Sequence, residues 1–365
     1  MKTVAALALI ALAWPGFAAA PAGRLDRENL LEYRNDQGQV APVRSLADWQ
    51  RRRAEILAGM QQVMGPLPGA EKRGPLEVRV EEEKDFGSYV RRRITYQAEP
   101  GSRVPAHLFI PKDVLAGGGA GLRSGVLCLM GTGGHRHADT PEGPNYSGNR
   151  NDAEALVARG FVAISPAYPS LGFGSRSGIA LKYEPDLKAL GYASGTMKAV
   201  WDNIRALDVL ETLPFVQRSG FASIGTSLGG HNSIYTAVFD ERIRVIVSSC
   251  GFDSYLEYAA TPWEPGKGWA QDRYMPRITD FPRDQIPFDF HEMIGALAPR
   301  AFFANSPSRD ANFKWRSAAR IVAAALPVYR LHGVPELIRI VHPDAAHEFP
   351  PDVREQAYAW IEQFL

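Results

Sequence analysis

One serine lies between closely spaced glycines in the stretch SIGTSLGGHNS, residues 223–233. Ser227 has Gly225 two residues before it and Gly229 two residues after it. A strand-like run, FASIGTS, leads into this G-x-S-x-G pattern, and a helix-like run, LGGHNSIYTAVF, follows the serine. The pattern predicts a sharp strand-to-helix turn that exposes a nucleophilic hydroxyl. A turn whose glycines serve packing alone is the alternative interpretation.

A serine nucleophile needs a base, and the base needs a carboxylate to orient it. Where a turn of this kind presents the serine, the acid and then the histidine follow along the chain. His347, in the loop AHEFPP before the last predicted helix, is expected to be the base. His342 ends a strand-like run, which favours a structural role.

Three carboxylates are candidates for the acid. Asp310, in SRDANF after the run RAFFAN, is preferred because catalytic groups gather at the carboxyl ends of parallel strands. Asp253, in SCGFDSY, is the rival, and Asp344 fits better as a cap for its local turn. Each of the three could instead be a solvated loop carboxylate.

Acyl transfer also requires N–H donors for the oxyanion. The backbone N–H of Leu228, next to the serine, is one expected donor, and that of Thr132 in the loop MGTGGHRH is the other. A plain glycine-rich turn is again the alternative. His135 in the same loop is a candidate for the pocket wall, but its polar neighbours do not form a metal-binding pattern. The sequence predicts no metal and no organic cofactor.

Aromatic residues in the predicted loops suggest a class of substrate. Tyr168, Trp263 and Trp269 are candidates for the substrate pocket, and Phe173 and Tyr274 lie in similar stretches. Exposed aromatic faces can stack on sugar rings, which favours an esterified carbohydrate. The same side chains could equally form the core of a cap.

The elements that must position these residues indicate an α/β fold. Continuous apolar runs that alternate with amphipathic helical stretches predict a mostly parallel central sheet with helices on both faces. Three runs with period-two alternation precede them and predict antiparallel strands. The apolar runs are 124–131, 161–168, 221–227, 244–250, 300–307 and 337–343, and the alternating runs are 76–83, 88–96 and 104–111.

The chain divides into segments of different character. Residues 1–20 read as a secretory signal peptide with a short apolar run and small residues at its end. Residues 21–75 are expected to form an N-terminal helical arm, which begins with a capping box from Ser45 to Asp48. Residues 76–365 form the predicted catalytic domain, within which residues 252–298 are expected to form a cap insertion.

Composition limits the class of partner. The 365-residue chain is 45% hydrophobic and 22% charged, as in ordinary globular proteins. Removal of residues 1–20 takes away one lysine, which leaves 41 − 1 = 40 basic residues against 40 acidic ones. A neutral protein of this kind gives no reason to expect nucleic acid or a membrane as partner. We expect export to the periplasm or the extracellular space, with Cys128 and Cys250 as buried thiols.

The stretches GTSLGG, SRDANF and AHEFPPDVREQAYAWI resemble the α/β-hydrolase superfamily, in its dienelactone-hydrolase and acetylxylan-esterase-like branch. The resemblance covers residues 76–365 and implies the α/β-hydrolase fold and esterase chemistry with Ser227, Asp310 and His347 as the triad. One departure is Met130, where many relatives begin the oxyanion loop with histidine.

The sequence therefore predicts a secreted serine carboxylic-ester hydrolase that acts on acetylated or otherwise esterified carbohydrate. A peptidase of the prolyl-oligopeptidase type, a lactone hydrolase and an inactive hydrolase-fold binding module remain alternatives. The first usually carries a propeller domain for which the chain has no room, and several lactone hydrolases use cysteine at the position of Ser227. A complete Ser/Asp/His set disfavours the third.

Overall fold

The structure is a computed structural model, and it describes residues 23–115, 121–132, 152–169, 183–258 and 271–365. Its strands are β1 Glu32–Arg34, β2 Val40–Pro42, β3 Arg79–Asp85, β4 Tyr89–Glu99, β5 Ser102–Pro111, β6 Arg123–Leu129, β7 Val162–Pro166, β8 Val216–Thr226, β9 Ile243–Ser249, β10 Ala301–Asn305 and β11 Ile338–Val341. Its α-helices are α1 Leu46–Met64, α2 Lys112–Leu115, α3 Asp152–Ala158, α4 Gly195–Thr212, α5 Leu228–Phe239, α6 Phe290–Gly295, α7 Trp315–Leu331 and α8 Pro351–Phe364.

One large sheet organises the described residues. Its nine strands run in the order β11-β10-β9-β8-β6-β7-β5-β4-β3. In that order, the six strands from β11 to β7, which include β6, pair parallel with their neighbours. The pairs β7–β5, β5–β4 and β4–β3 are antiparallel. The predicted α/β architecture, with a mostly parallel sheet and antiparallel N-terminal strands, is confirmed.

Both faces of the parallel part are covered. In β6, Leu127 belongs to the larger hydrophobic cluster, while Val126 and Cys128 belong to the smaller cluster on the opposite face. This follows from the pleat, which sends successive side chains to opposite sides. Helices α1, α4, α5 and α7 supply side chains to the larger cluster, and α3 and α8 supply them to the smaller one. The continuous apolar runs in the sequence reflect this double coverage.

The N-terminal arm lies on the larger cluster. Helix α1 begins with the predicted capping box, in which the side chains of Ser45 and Asp48 each accept from the other's backbone N–H. Trp49 and Ile56 are buried as their spacing suggests, but Leu46 is 47% exposed. Leu46, the first residue of α1, shares the spacing of the buried face but is not covered by the core. Residues 1–20 lie outside the described residues, so the signal peptide stays a prediction.

The segment predicted to form a cap is partly described. In 252–258 and 271–298, many large apolar side chains, among them Phe252, Tyr255 and Phe288, are buried in the same cluster as the strands. Arg27 of the N-terminal arm donates to Asp289 of this segment at 2.6 Å, and both side chains are buried. These described parts are thus integral to the main core. The assignment of 252–298 as a cap, like the other segment boundaries, stays a prediction.

One smaller expectation is also confirmed within the described residues. Cys128 and Cys250 are buried free thiols, as predicted. No described helix combines the length and the apolar character that crossing a membrane requires.

Candidate active site

Ser227 stands at the junction between β8 and α5. Its backbone has φ 58° and ψ −119°, a conformation that non-glycine residues rarely adopt. The Ser227 N–H donates to the carbonyl of Ser249 on the neighbouring strand at 2.8 Å, which ties the turn to the sheet. A strained residue of this kind costs about 1–3 kcal/mol and is typical of functional sites.

The glycines around Ser227 are required by close backbone contacts. A Cβ on Gly229 would lie 2.1 Å from the carbonyl oxygen of Leu129. A Cβ on Gly225 would lie 2.4 Å from the carbonyl carbon of Gly229. The turn is therefore compressed between the end of β6 and the start of α5. This explains the G-x-S-x-G spacing on steric grounds.

The two expected oxyanion donors flank the serine. Leu228 is the first residue of α5, so its N–H has no acceptor within the helix. The loop after β6 passes close by, since a Cβ built on Gly131 would lie 3.6 Å from Ser227 Cβ. Thr132 follows Gly131 in that loop. Its role as a donor remains a proposal, and His135 lies outside the described residues.

Asp310 and His347 form a direct pair. His347 Nδ1 lies 3.0 Å from Asp310 Oδ1 and 2.9 Å from Oδ2. The backbone N–H groups of Asn312 and Phe313 also donate to Oδ1, at 2.7 and 3.2 Å. The Asp310 side chain is 1% exposed and that of His347 is 27% exposed. The carboxylate is thus fixed, while the imidazole keeps one accessible edge.

Two loops beyond the sheet bring this pair together. The backbone N–H groups of Ser306, Ser308 and Arg309 donate to the carbonyls of Val341, Pro343 and Ala345, at 2.9, 2.9 and 3.0 Å. These bonds extend the pairing of β10 with β11 past the ends of both strands. The loop of Asp310 and the loop of His347 therefore run side by side.

The other acids and the second histidine have different partners. Asp253 Oδ2 accepts from the Lys314 N–H at 2.9 Å, and burial raises the pKa of Asp253 to about 6. The Asp344 side chain is 83% exposed and pairs with Arg309. His342 Nδ1 lies 2.8 Å from the Ser306 carbonyl oxygen, which fits the structural role expected for it. Of the three carboxylates, Asp310 is the one that hydrogen-bonds His347.

The structure brings His347 to the neighbourhood of α5 but does not join it to the serine. Within the described residues, the Ser227 hydroxyl and His347 make no hydrogen bond with each other. The ring of Phe313 lies 5.7 Å from that of His347 and 5.4 Å from that of His231, one helical turn after Ser227. Catalytic hydrogen bonds are often long in the absence of substrate.

His231 is not among the site residues predicted from the sequence. It is 3% exposed, and its Nε2 has no hydrogen-bond partner among the described residues. Burial, followed by the nearby His347, lowers the pKa of His231 to about 3, so that the ring is neutral near pH 7. The signal for finding it was its spacing, because residues four apart share one helix face.

Further buried polar atoms around α5 make no hydrogen bond of good geometry within the described ranges, although the Tyr168 and Tyr258 hydroxyls lie beside the side chains of Asn232 and Gln271. They occur on α5, on the loops after β6 and β7, and on the described parts of 252–298. We call this set the polar cluster: Thr132 Oγ1, Tyr168 OH, His231 Nε2, Asn232 Oδ1, Tyr258 OH and Gln271 Nε2. A buried polar atom without a partner is destabilising, so such a group indicates a place for a polar ligand or for ordered water.

Of the predicted pocket residues, Tyr168 lies within the described ranges. Tyr168 is half-buried, with its ring 6.2 Å from that of Tyr274 in an edge-to-face arrangement. Its hydroxyl lies beside the side chains of Thr196 and Asn232, and burial raises the pKa of this phenol. Tyr168 thus belongs to the surroundings of the serine. Trp263, Trp269 and Phe173 lie outside the described residues.

Comparisons of the sequence give consistent likenesses. The sequence model of the family described as "Glucuronyl esterase, fungi" matches residues 188–333. The putative hydrolase YtaP of Bacillus subtilis is 22% identical over 319 residues, which are 86% of this chain and 100% of that protein. The 4-O-methyl-glucuronoyl methylesterase of Phanerochaete carnosa is 26% identical over 193 residues, 47% of each chain. That alignment spans about half the length of the fungal enzyme.

Comparison of the structure gives the same fold over nearly the whole chain. A glucuronoyl esterase from Solibacter usitatus superposes with a TM-score of 0.68 at 20% sequence identity, over 95% of this chain and 98% of its own. The expected α/β-hydrolase fold is therefore confirmed.

Proposed function

We propose that this carboxylic ester hydrolase of the α/β-hydrolase superfamily cleaves esters of carbohydrates through a covalent acyl-enzyme. The observation that carries the proposal is the Asp310–His347 hydrogen bond beside the strained Ser227 turn. An oriented imidazole close to a serine held at the amino end of a helix is the arrangement that serine acyl transfer requires.

The proposed reaction has two steps. His347 takes the proton of Ser227 as the serine oxygen attacks the ester carbonyl, and Asp310 holds the imidazole with its proton on Nδ1. The N–H groups of Leu228 and Thr132 stabilise the oxyanion of the tetrahedral intermediate. The alcohol leaves with the proton from His347. Water then attacks the acyl-enzyme by the same route and releases the acid.

The polar cluster supports a substrate rich in hydroxyl groups. Two of its members, His231 and Asn232, lie four and five positions after Ser227 in the chain. A third, Thr132, follows Gly131, which lies beside Ser227. A sugar could satisfy these atoms, whereas an alkyl chain would leave them unpaired and would bind more weakly. Because the His231 ring is neutral, it does not favour a substrate that carries a negative charge.

Within the carbohydrate esters, we propose an ester of a hexuronic acid as the substrate class, so that the sugar is the acyl half. The fungal relative is named a 4-O-methyl-glucuronoyl methylesterase and the Solibacter structure a glucuronoyl esterase, and both names support this choice. Acetylated xylan, in which the sugar is the alcohol half, is the second candidate, favoured by the resemblance of the triad stretches to acetylxylan-esterase-like enzymes.

Hydrolysis of three esters tests these proposals together: methyl glucuronate, acetylated xylan and p-nitrophenyl acetate. Wild type is compared with Ser227→Ala, which removes the nucleophile. We expect methyl glucuronate to give the highest kcat/KM and the variant to lose about 10⁴-fold or more in kcat on every ester.

The outcomes separate chemistry from substrate. Equal rates for wild type and Ser227→Ala would show that Ser227 is not the nucleophile. Hydrolysis of acetylated xylan with no hydrolysis of methyl glucuronate would overturn the uronate ester and leave the triad intact. Activity confined to p-nitrophenyl acetate would overturn both carbohydrate classes.

A further inference from the structure

Cys250 lies beside the Asp310–His347 pair. It follows the last residue of β9, is 1% exposed, and has a backbone φ of 47°. Its Sγ, a carboxylate oxygen of Asp310 and a ring nitrogen of His347 all lie within 4.8 Å of one another. A thiol, a carboxylate and an imidazole therefore face one small volume. The proposed mechanism does not use the thiol.

The backbone around Cys250 holds the three side chains together. The Cys250 N–H donates to the Asn305 carbonyl oxygen at 2.8 Å. The thiol donates to the Glu348 carbonyl oxygen at 3.2 Å, and Asn305 Nδ2 donates to the same oxygen at 3.0 Å. Because Glu348 is adjacent to His347, these bonds fix the distance between the cysteine and the histidine loop. Such pre-organisation lowers the entropic cost of binding a ligand.

We propose that Cys250, Asp310 and His347 form a binding site for a zinc-type divalent cation, and that occupancy of this site inhibits the enzyme. Zinc takes sulfur, nitrogen and oxygen ligands at about 2.0–2.3 Å, which places neighbouring ligands about 3.3–3.7 Å apart in a tetrahedron. Side-chain shifts of about 1 Å satisfy that geometry from the observed spacing. The thiol proton passes to solvent as the cation binds.

The donor set favours zinc over the hard divalent cations. Magnesium and calcium prefer sites made of oxygen atoms, and magnesium retains several waters. A thiolate and an imidazole together suit zinc and similar transition metals. His347, whose side chain is 27% exposed, is the most accessible of the three ligands and offers an entry for the cation. Three protein ligands leave a fourth position open for water or buffer.

The inhibition rests on the proposed catalytic role of His347. When Nδ1 binds the cation, the ring proton moves to Nε2. The nitrogen that would accept the serine proton is then occupied, and the Asp310 carboxylate no longer orients the ring. Binding and catalysis therefore exclude each other, although binding itself does not depend on the reaction.

Zinc titration of p-nitrophenyl acetate hydrolysis in thiol-free buffer tests the inhibition. Rates are normalised to each variant without added metal. We expect the zinc concentration for half-inhibition to rise at least tenfold in Cys250→Ser, with Cys128→Ser, the other buried cysteine, equal to wild type. Magnesium should not inhibit, and EDTA should restore activity. Equal zinc sensitivity of Cys250→Ser and wild type would overturn the proposal.

Cobalt(II) provides a readout that needs no activity. A cobalt–thiolate bond absorbs in the near ultraviolet, so the band should appear with wild type and Cys128→Ser and be missing with Cys250→Ser and Cys250→Ala. Absence of the band in wild type refutes the site even if the cysteine variants do not fold. A band in an enzyme without esterase activity supports the metal site and counts against the proposed function.

Discussion

The choice of Asp310 as the triad acid predicts a large difference between two matched carboxylate variants. In Asp310→Asn, an amide oxygen can still accept from the Asn312 and Phe313 N–H groups, so the loop keeps its anchors. The amide NH₂ would instead face His347 Nδ1, which lies 2.9–3.0 Å from both carboxylate oxygens. The favoured tautomer then places the ring proton on Nε2, and this nitrogen can no longer accept the serine proton.

The magnitude follows from that reversal. Loss of the correct tautomer with the geometry intact lowers kcat by about 10⁴-fold in serine hydrolases, which corresponds to about 5 kcal/mol of transition-state stabilisation. Asp253→Asn is the control, because the Asp253 carboxylate accepts from the Lys314 N–H and not from His347. An amide oxygen can keep that bond, so we expect a change in kcat of less than about tenfold.

Steady-state hydrolysis of p-nitrophenyl acetate measures kcat for both variants, and thermal unfolding checks that each remains folded. A loss of about 10³-fold or more in Asp253→Asn, with Asp310→Asn close to wild type, would refute the assignment. Similar large losses in both would show that the Asp310–His347 hydrogen bond does not by itself identify the acid.

Two further predictions concern stability. Burial raises the pKa of Asp152 to about 6. The folded state therefore holds the carboxyl proton more tightly than the unfolded state does. The contribution of Asp152 to the free energy of unfolding is complete below pH 4 and falls as the pH rises to 6. Asp152→Asn keeps an acceptor for the Tyr358 hydroxyl. Relative to wild type, its free energy of unfolding, measured with urea, should increase by up to about 3 kcal/mol between pH 4 and pH 7. Parallel pH profiles of the two proteins would contradict this. Gly229→Ala would place a methyl group 2.1 Å from the Leu129 carbonyl oxygen, so we expect a loss of about 3 kcal/mol or more in unfolding free energy, or no soluble protein. Gly74→Ala, which meets nothing within 4 Å, is the control and should change stability by less than about 0.5 kcal/mol, and equal effects of the two substitutions would refute the steric argument.

Local patterns in the sequence predicted most of the fold. The run LGGHNSIYTAVF coincides with α5, Leu228–Phe239, and each of the six apolar runs overlaps a strand of the parallel part of the sheet. These elements are predictable because hydrophobic periodicity and glycine spacing act over a few residues. Leu46 shows the limit of the method. Its spacing fits the buried face of α1, but how far the core extends beneath a helix depends on distant parts of the chain.

The candidate site divides in the same way. The sequence by itself determined the position of Ser227, because the glycines that permit its turn are its neighbours in the chain. It left Asp253, Asp310 and Asp344 open, since each follows a predicted strand or turn with similar local chemistry. In the tertiary structure, bonds beyond the ends of β10 and β11 bring the Asp310 loop against the His347 loop, and this contact supports the proposal of Asp310 as the acid. The same long-range packing placed Cys250, whose hydrogen-bond partners Asn305 and Glu348 are distant in the chain. It also assembled the polar cluster from α5, two loops and the described parts of 252–298. Local patterns in a sequence cannot predict contacts between segments so far apart.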